Sequence, residues 1–276
     1  MRLGVVLKGT GVHGAACAGA LMELMKRQEE PYAVCGLGSG AWPAALFACG
    51  CDAEQMELAC AQAQRMGKRL IQKRRGSFEA PALPMYDAAG MQRLLQAQTG
   101  GRLLALCPRK AMFPVRAQGS GIRVFASQGC MLQEGVLPVA QASAAFAVRA
   151  AMGFPPFLEP LDWMGAALLP LYDTGFAARM LFASGAQRVL IAEALPSPRA
   201  KRDALLLAAA GSEPLSGAAV PGTMRLTIRM PEQVGALSFA EITACMEMGR
   251  QTASRELDQV FETMGMAFCR VLPFRR

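Results

Sequence analysis

The stretch Ala33-Val34-Cys35-Gly36-Leu37-Gly38-Ser39-Gly40-Ala41 decides how this chain folds. It reads as a short apolar strand running into a turn of small residues. Residues 42–49, which begin at Trp42 and end at Cys49, read as the helix that follows. A strand, a tight turn and a helix, with the turn built as Gly-x-?-x-Gly, is the arrangement that lifts a nucleophilic serine onto a strained corner. Here the middle position is Gly38, and a serine, Ser39, stands one place later.

The same alternation extends in both directions. Residues 3–7 read as a first strand, the loop Gly9-Thr10-Gly11-Val12-His13-Gly14 follows, and residues 15–26 read as a helix. Strands alternating with helices of this length imply an α/β fold: a mostly parallel central sheet with helices on both faces. Asp52 is placed to cap a helix beginning near Ala53, with Glu54 in its first turn. Residues 76–120 are the least regular, broken by Pro81, Pro84, Pro108 and Pro114 around one helix at 87–98. They read as a small cap or insertion within a single domain spanning residues 1–276. Further on, a strand is expected at 122–126 and a helix at 140–151, stopped by Gly153-Phe154-Pro155-Pro156. Residues 168–172 lead into Asp173-Thr174-Gly175, followed by a helix at 176–184 and a strand at 188–192. A loop with a short helix (196–222), a strand (224–230) and a long helix (239–264) complete the order, with no internal repeat.

With 53% hydrophobic and 18% charged residues among 276, the chain can bury a large core and is not of disordered type. No apolar run approaches 18 residues, so no transmembrane helix is expected. The apolar run after Met1 is too short for a signal peptide and reads as a buried strand. Nine cysteines scattered through apolar stretches are expected to be reduced, mostly structural thiols of a cytoplasmic protein. Cys49-Gly50-Cys51 is too tight for a zinc knuckle, so neither metal nor cofactor is expected. The net charge of +8 is partly local: Arg65, Lys68, Arg69, Lys73, Arg74 and Arg75 follow one another with Met66, Leu70 and Ile71 between them. Such a segment is either a solvated basic face, the commoner case, or an amphipathic element giving peripheral contact with an anionic membrane. It lacks interleaved aromatics, and no nucleic-acid partner is expected.

Three motifs in order make the chain resemble the patatin-like phospholipase family: Lys8-Gly9-Thr10-Gly11-Val12-His13-Gly14, Gly36-Leu37-Gly38-Ser39-Gly40 and Asp173-Thr174-Gly175. The segments at 147–157 and 185–190 are similar to those flanking the family's aspartate, so the resemblance covers about residues 1–260. It implies a fold related to the α/β-hydrolase layout and hydrolysis of lipid acyl esters by a Ser–Asp dyad. The serine would sit at a helix N-terminus, the aspartate would accept its proton, and backbone N–H groups of the glycine loop would hold the oxyanion. Carried onto this chain, the dyad base is Asp173 and the oxyanion loop is Gly9, Thr10, Gly11 and Val12.

The departures from the family pattern matter as much. The nucleophile position falls on Gly38, because the length from Gly36 to Gly50 matches the family without a gap. Ser39 then occupies the next position, aimed away from Asp173, as a small residue that packs the turn or caps the helix. Thr10 stands where the family usually has a second glycine and would resist a positive φ if the loop required one. His13 stands in place of a basic residue, and Thr174 in place of a glycine. The resemblance therefore implies a degenerate acyl hydrolase that binds a lipid or partner. Two alternatives are an active hydrolase using Ser39 with Asp173, and an ordinary family hydrolase whose serine has been exchanged for glycine.

Overall fold

The computed structural model describes residues 1–74, 84–131, 136–139, 141–153, 157–197, 220–263 and 265. The loop and helix expected at 196–222 and the Phe154-Pro155-Pro156 stop lie largely outside them.

Strand β1 (Leu3–Gly9) passes through a single 3-10 turn into helix α1 (Gly14–Lys26), and β2 (Ala33–Gly38) passes through Ser39 and Gly40 into α2 (Ala41–Ala48). Helix α3 (Ala53–Met66) follows. Asp52 accepts from the Gln55 N–H at 2.8 Å while the Gln55 side chain accepts from the Asp52 N–H at 3.0 Å. This reciprocal pair supplies partners for two end-of-helix donors. Two short strands, β3 (Gln72–Lys73) and β4 (Tyr86–Asp87), pair apart from the main sheet, and α4 (Ala89–Thr99) follows. Then come β5 (Lys110–Ala117), β6 (Gly121–Ala126), β7 (Leu137–Val139), α5 (Ala144–Met152), β8 (Leu161–Trp163), β9 (Ala166–Pro170), α6 (Thr174–Ala183), β10 (Arg188–Leu195), β11 (Thr223–Arg229) and α7 (Ile242–Thr263).

The main sheet runs β11-β10-β1-β2-β5-β6-β7, with β9 alongside β5 and β8 alongside β9. From β11 to β5 every neighbouring pair is parallel; the β5–β6, β5–β9 and β8–β9 pairs are antiparallel. The fold is therefore the mixed α/β class expected. Strand β1 shows why both faces are covered. Leu3, Val5 and Leu7 join the core beneath α1, α2, α3, α5 and α7, whereas Val6 packs with Ala177, Met180 and Leu181 of α6. Alternate side chains of a strand point to opposite faces, so a strand apolar at every position must be sandwiched.

The expected irregular segment at 76–120 needs correction at its end. Residues 110–117 form β5, a central strand. A proline in sequence implies a break, yet Pro114 sits where one edge of β5 changes partner: Lys110–Met112 pair with Ala33–Cys35 of β2 and Val115–Ala117 with β9, while β6 pairs along the other edge. A missing N–H costs least in such a gap.

Candidate functional site

Parallel pairing sets the carboxyl ends of β1 and β2 side by side, with Gly9 opposite Gly38. Ligand sites of open α/β sheets form outside these ends. The Ser39 N–H donates to Gly9 O at 2.9 Å, which ties the turn to the glycine loop. Gly38 takes φ +56°, the left-handed conformation that an elbow demands and that other L-residues adopt at a cost.

The surroundings of Gly38 are closed. A Cβ added there would collide with Gly9 O and lie 2.5 Å from Tyr172 Cε1. The Tyr172 ring therefore packs over the position where the resemblance places a nucleophile. Burial pushes its phenol well above the ordinary value, so it remains protonated at neutral pH.

Ser39 is 3% exposed. Its Oγ points beneath the start of α1, where it would lie 2.7 Å from a Cβ added at Gly14. Among the described residues it hydrogen-bonds to nothing, Asp173 included. It does not cap α2 either, whose N-terminal position is Gly40 with no side-chain cap. Asp173 is the N-cap of α6, where Oδ1 accepts from the Phe176 N–H at 2.9 Å. The helix starts at Thr174, two residues earlier than expected.

In the glycine loop Thr10 is extended, with φ −129° and ψ 128°. The positive φ of +56° falls on Gly11, where a Cβ would run into Ala236 O. Threonine thus fits without strain, and glycine stands where the backbones meet. The Val12 N–H donates to Ala236 O at 2.8 Å, so one N–H of the expected oxyanion loop is committed within the protein. The His13 side chain is fully buried, and its Nε2 donates to Val234 O at 3.0 Å. A carbonyl only accepts, so this contact requires a hydrogen on Nε2.

A cavity of about 110 Å³ opens against Thr10, Gly11, Val12, Ser39 and Tyr172. The rest of its wall is almost wholly apolar: Trp42 of α2, Ala63 of α3, Leu94 and Leu95 of α4, then Leu237, Phe239 and Ile242 ahead of and within α7. Leu70 and Ile71 also line it, so the basic segment borders the cavity; Lys68, Arg69 and Lys73 on either side of them are exposed. On the other flank Glu193 of β10, 2% exposed, pairs with Lys8 Nζ at 2.6 Å and Arg225 Nη1 at 3.1 Å. Arg225 Nη2 lies 3.3 Å from Thr174 Oγ1, which fastens the start of α6 beside the site. Among the described residues, no group of three or more His, Cys, Asp or Glu could hold a metal, and no helix is long and apolar enough to cross a membrane.

Sequence reasoning picks out the glycine loop, the elbow and Asp173, and the fold gathers the first two at one cavity. It gives no role to Tyr172, Ala236 or Glu193. Tyr172 could have been noticed as the residue before Asp173; nothing in the sequence marks the Ala236 carbonyl.

No family model and no curated protein matches the sequence. Solved structures do. The crystal structure of VipD from Legionella pneumophila matches with a TM-score of 0.52 at 12% identity, over 94% of this chain and 67% of that one. The type III effector protein ExoU matches over 94% of this chain and 53% of that chain, at 16% identity and a TM-score of 0.40. Human GIVD cytosolic phospholipase A2 matches over 95% of this chain and 59% of that chain, at 12% identity and a TM-score of 0.40. The match to VipD shows a shared fold, and the chain spans only part of each of these proteins. The resemblance to patatin-like phospholipases is supported at the level of fold.

Proposed function

We propose that this chain is a degenerate patatin-like protein that holds a single-chain lipid amphiphile, such as a fatty acid, without hydrolysing an ester. The observation that carries this reading is the apolar cavity, which abuts the glycine loop and the elbow while the nucleophile position is Gly38 packed under Tyr172. Such a cavity holds an acyl chain by burying it from water, with Thr10, Ser39 and Tyr172 among the few polar residues on its wall. With no hydroxyl at Gly38, Asp173 has no serine to deprotonate there. With the Val12 N–H bonded to Ala236, the loop has one donor fewer for an oxyanion. Losing the nucleophile of such a unit removes several orders of magnitude in rate. The basic segment beside the cavity supports peripheral contact of a cytoplasmic protein with an anionic membrane.

A second reading, hydrolysis by Ser39, is favoured by one observation: Ser39 lines the same cavity and carries a buried hydroxyl with no partner among the described residues.

The purified chain titrated with the fluorescent fatty acid cis-parinaric acid should show saturable binding. Ala63→Phe, which fills the cavity from α3, should abolish it while the circular dichroism spectrum stays unchanged. No hydrolysis of a p-nitrophenyl acyl ester above buffer and no labelling by a fluorophosphonate are expected. Absence of saturable binding overturns the lipid-holding reading. Labelling that disappears in Ser39→Ala establishes the second reading instead.

A further inference from the structure

Away from this site, three cysteines gather where α2 ends. Cys49 follows α2 directly, Cys51 comes two residues later, and Cys107 lies on the loop that enters β5. Cys49 Sγ and Cys107 Sγ are 3.9 Å apart, and both residues are partly exposed. Two guanidiniums border the three cysteines: Arg102, and Arg109, which is itself paired with Glu30 at 2.6 Å. Arg102 Nη1 donates to Cys49 O at 2.7 Å, and Arg109 Nη1 donates to Cys51 O at 2.9 Å. The last carbonyls of a helix disfavour a nearby anion; Arg102 on Cys49 O, and Arg109, whose Nη1 also donates to Phe47 O at 3.4 Å, offset that. The hydrogen bond with Cys49 draws the Cys107 thiol below its ordinary value against the effect of burial, and Arg102 adds to it. Cys17, Cys60 and Cys245 are the contrast: burial pushes each up to about 12, and they stay protonated. Reactivity follows the thiolate and its exposure, so Cys107 is set apart from these core thiols.

We propose that Cys49 and Cys107 are a peroxide-sensitive dithiol that closes to an intramolecular disulfide. The Cys107 thiolate attacks hydrogen peroxide: an S–O bond forms, the O–O bond breaks, and the hydroxide that leaves becomes water. The Cys49 sulfur, giving up its proton, then attacks the sulfur of the Cys107 sulfenic acid. The S–S bond forms, the S–O bond breaks, and a second water leaves. Two thiols lose two electrons and one peroxide is reduced to two waters. The cross-link fastens the end of α2, the helix that leaves the elbow and carries Trp42 on the cavity wall, to the loop entering β5.

The test uses the full reduced chain, exposed to hydrogen peroxide, alkylated and digested for mass spectrometry. A peptide joining Cys49 to Cys107 is expected, with an intact mass lower by about 2 Da that dithiothreitol restores. Cys51→Ser should retain the link. Cys49→Ser and Cys107→Ser should each abolish it, and in Cys49→Ser dimedone should trap a sulfenic acid on Cys107. Arg102→Ala should slow the peroxide reaction of Cys107 about threefold or more. The proposal is overturned if Cys107 is over-oxidised with no linked peptide, if the link runs through Cys51, or if Cys107 does not react while the chain's other cysteines do.

Discussion

Replacing Gly38 by serine supplies the hydroxyl that the family motif implies, and the structure sets a cost for doing so. The position has φ +56°, and an L-residue there loses about 1–2 kcal/mol relative to glycine. The new Cβ would lie 2.5 Å from Tyr172 Cε1 and collide with Gly9 O. Tyr172 can swing aside, but the Gly9 carbonyl, paired with β2 and held by the Ser39 N–H, cannot, and such overpacking costs about 1–3 kcal/mol. Together these predict a loss of about 2–5 kcal/mol and a fall in Tm on the order of 10 °C. The variant still folds, because domains of this kind have about 5–15 kcal/mol in hand. Urea unfolding followed by far-UV circular dichroism measures the loss, and a p-nitrophenyl acyl ester measures activity, which should stay at the buffer rate. Gly38→Ser combined with Tyr172→Ala should show a favourable coupling of about 1 kcal/mol, the part of the clash owed to the ring. Stability within about 0.5 kcal/mol of the parent would refute the packing argument. Ester turnover in Gly38→Ser would instead mean that the pocket and Asp173 remain competent and that only the hydroxyl was missing.

Glu193→Gln leaves Lys8 and Arg225 facing each other without their shared carboxylate, so a loss of about 2 kcal/mol in urea unfolding is expected. Alkali should weaken the fold through Cys17, Cys60 and Cys245. Their folded pKa values are raised to about 12, so their contribution is intact below the unfolded value near 9 and is lost between pH 9 and 12, at up to about 1.4 kcal/mol per thiol per pH unit. Equal stability at pH 8 and pH 10.5 would contradict this. Asp52→Ala removes the capping box of α3 and should cost about 1 kcal/mol, measurable by thermal unfolding. Binding to anionic vesicles should be weak and fall with added salt; neutralising Lys73, Arg74 and Arg75 should reduce it, and unchanged sedimentation would exclude this segment.

The features legible before folding lie within short reach along the chain. The apolar runs of β1 and β2, the Asp52 cap, the glycine turn at Gly38 and the α/β alternation are near-neighbour chemistry, and each is found where its residues predict. Strand β5 is illegible in the sequence because a proline interrupts a ladder only on the edge its nitrogen faces: Val124 of β6 pairs opposite Pro114 on one edge, and on the other β2 gives way to β9. Its neighbours alone make Thr10 a candidate for strain, yet the positive φ falls on Gly11, because only the folded chain brings Ala236 against it. The character of the site was likewise decided by tertiary structure. Sequence showed that Gly38 has no hydroxyl. Packing put the Tyr172 ring over it, turned Ser39 beneath α1, tied the Val12 N–H to Ala236 and set an apolar cavity alongside. Those contacts join segments far apart in the chain, and their positions follow from strand order and helix packing, which no local pattern of residues encodes.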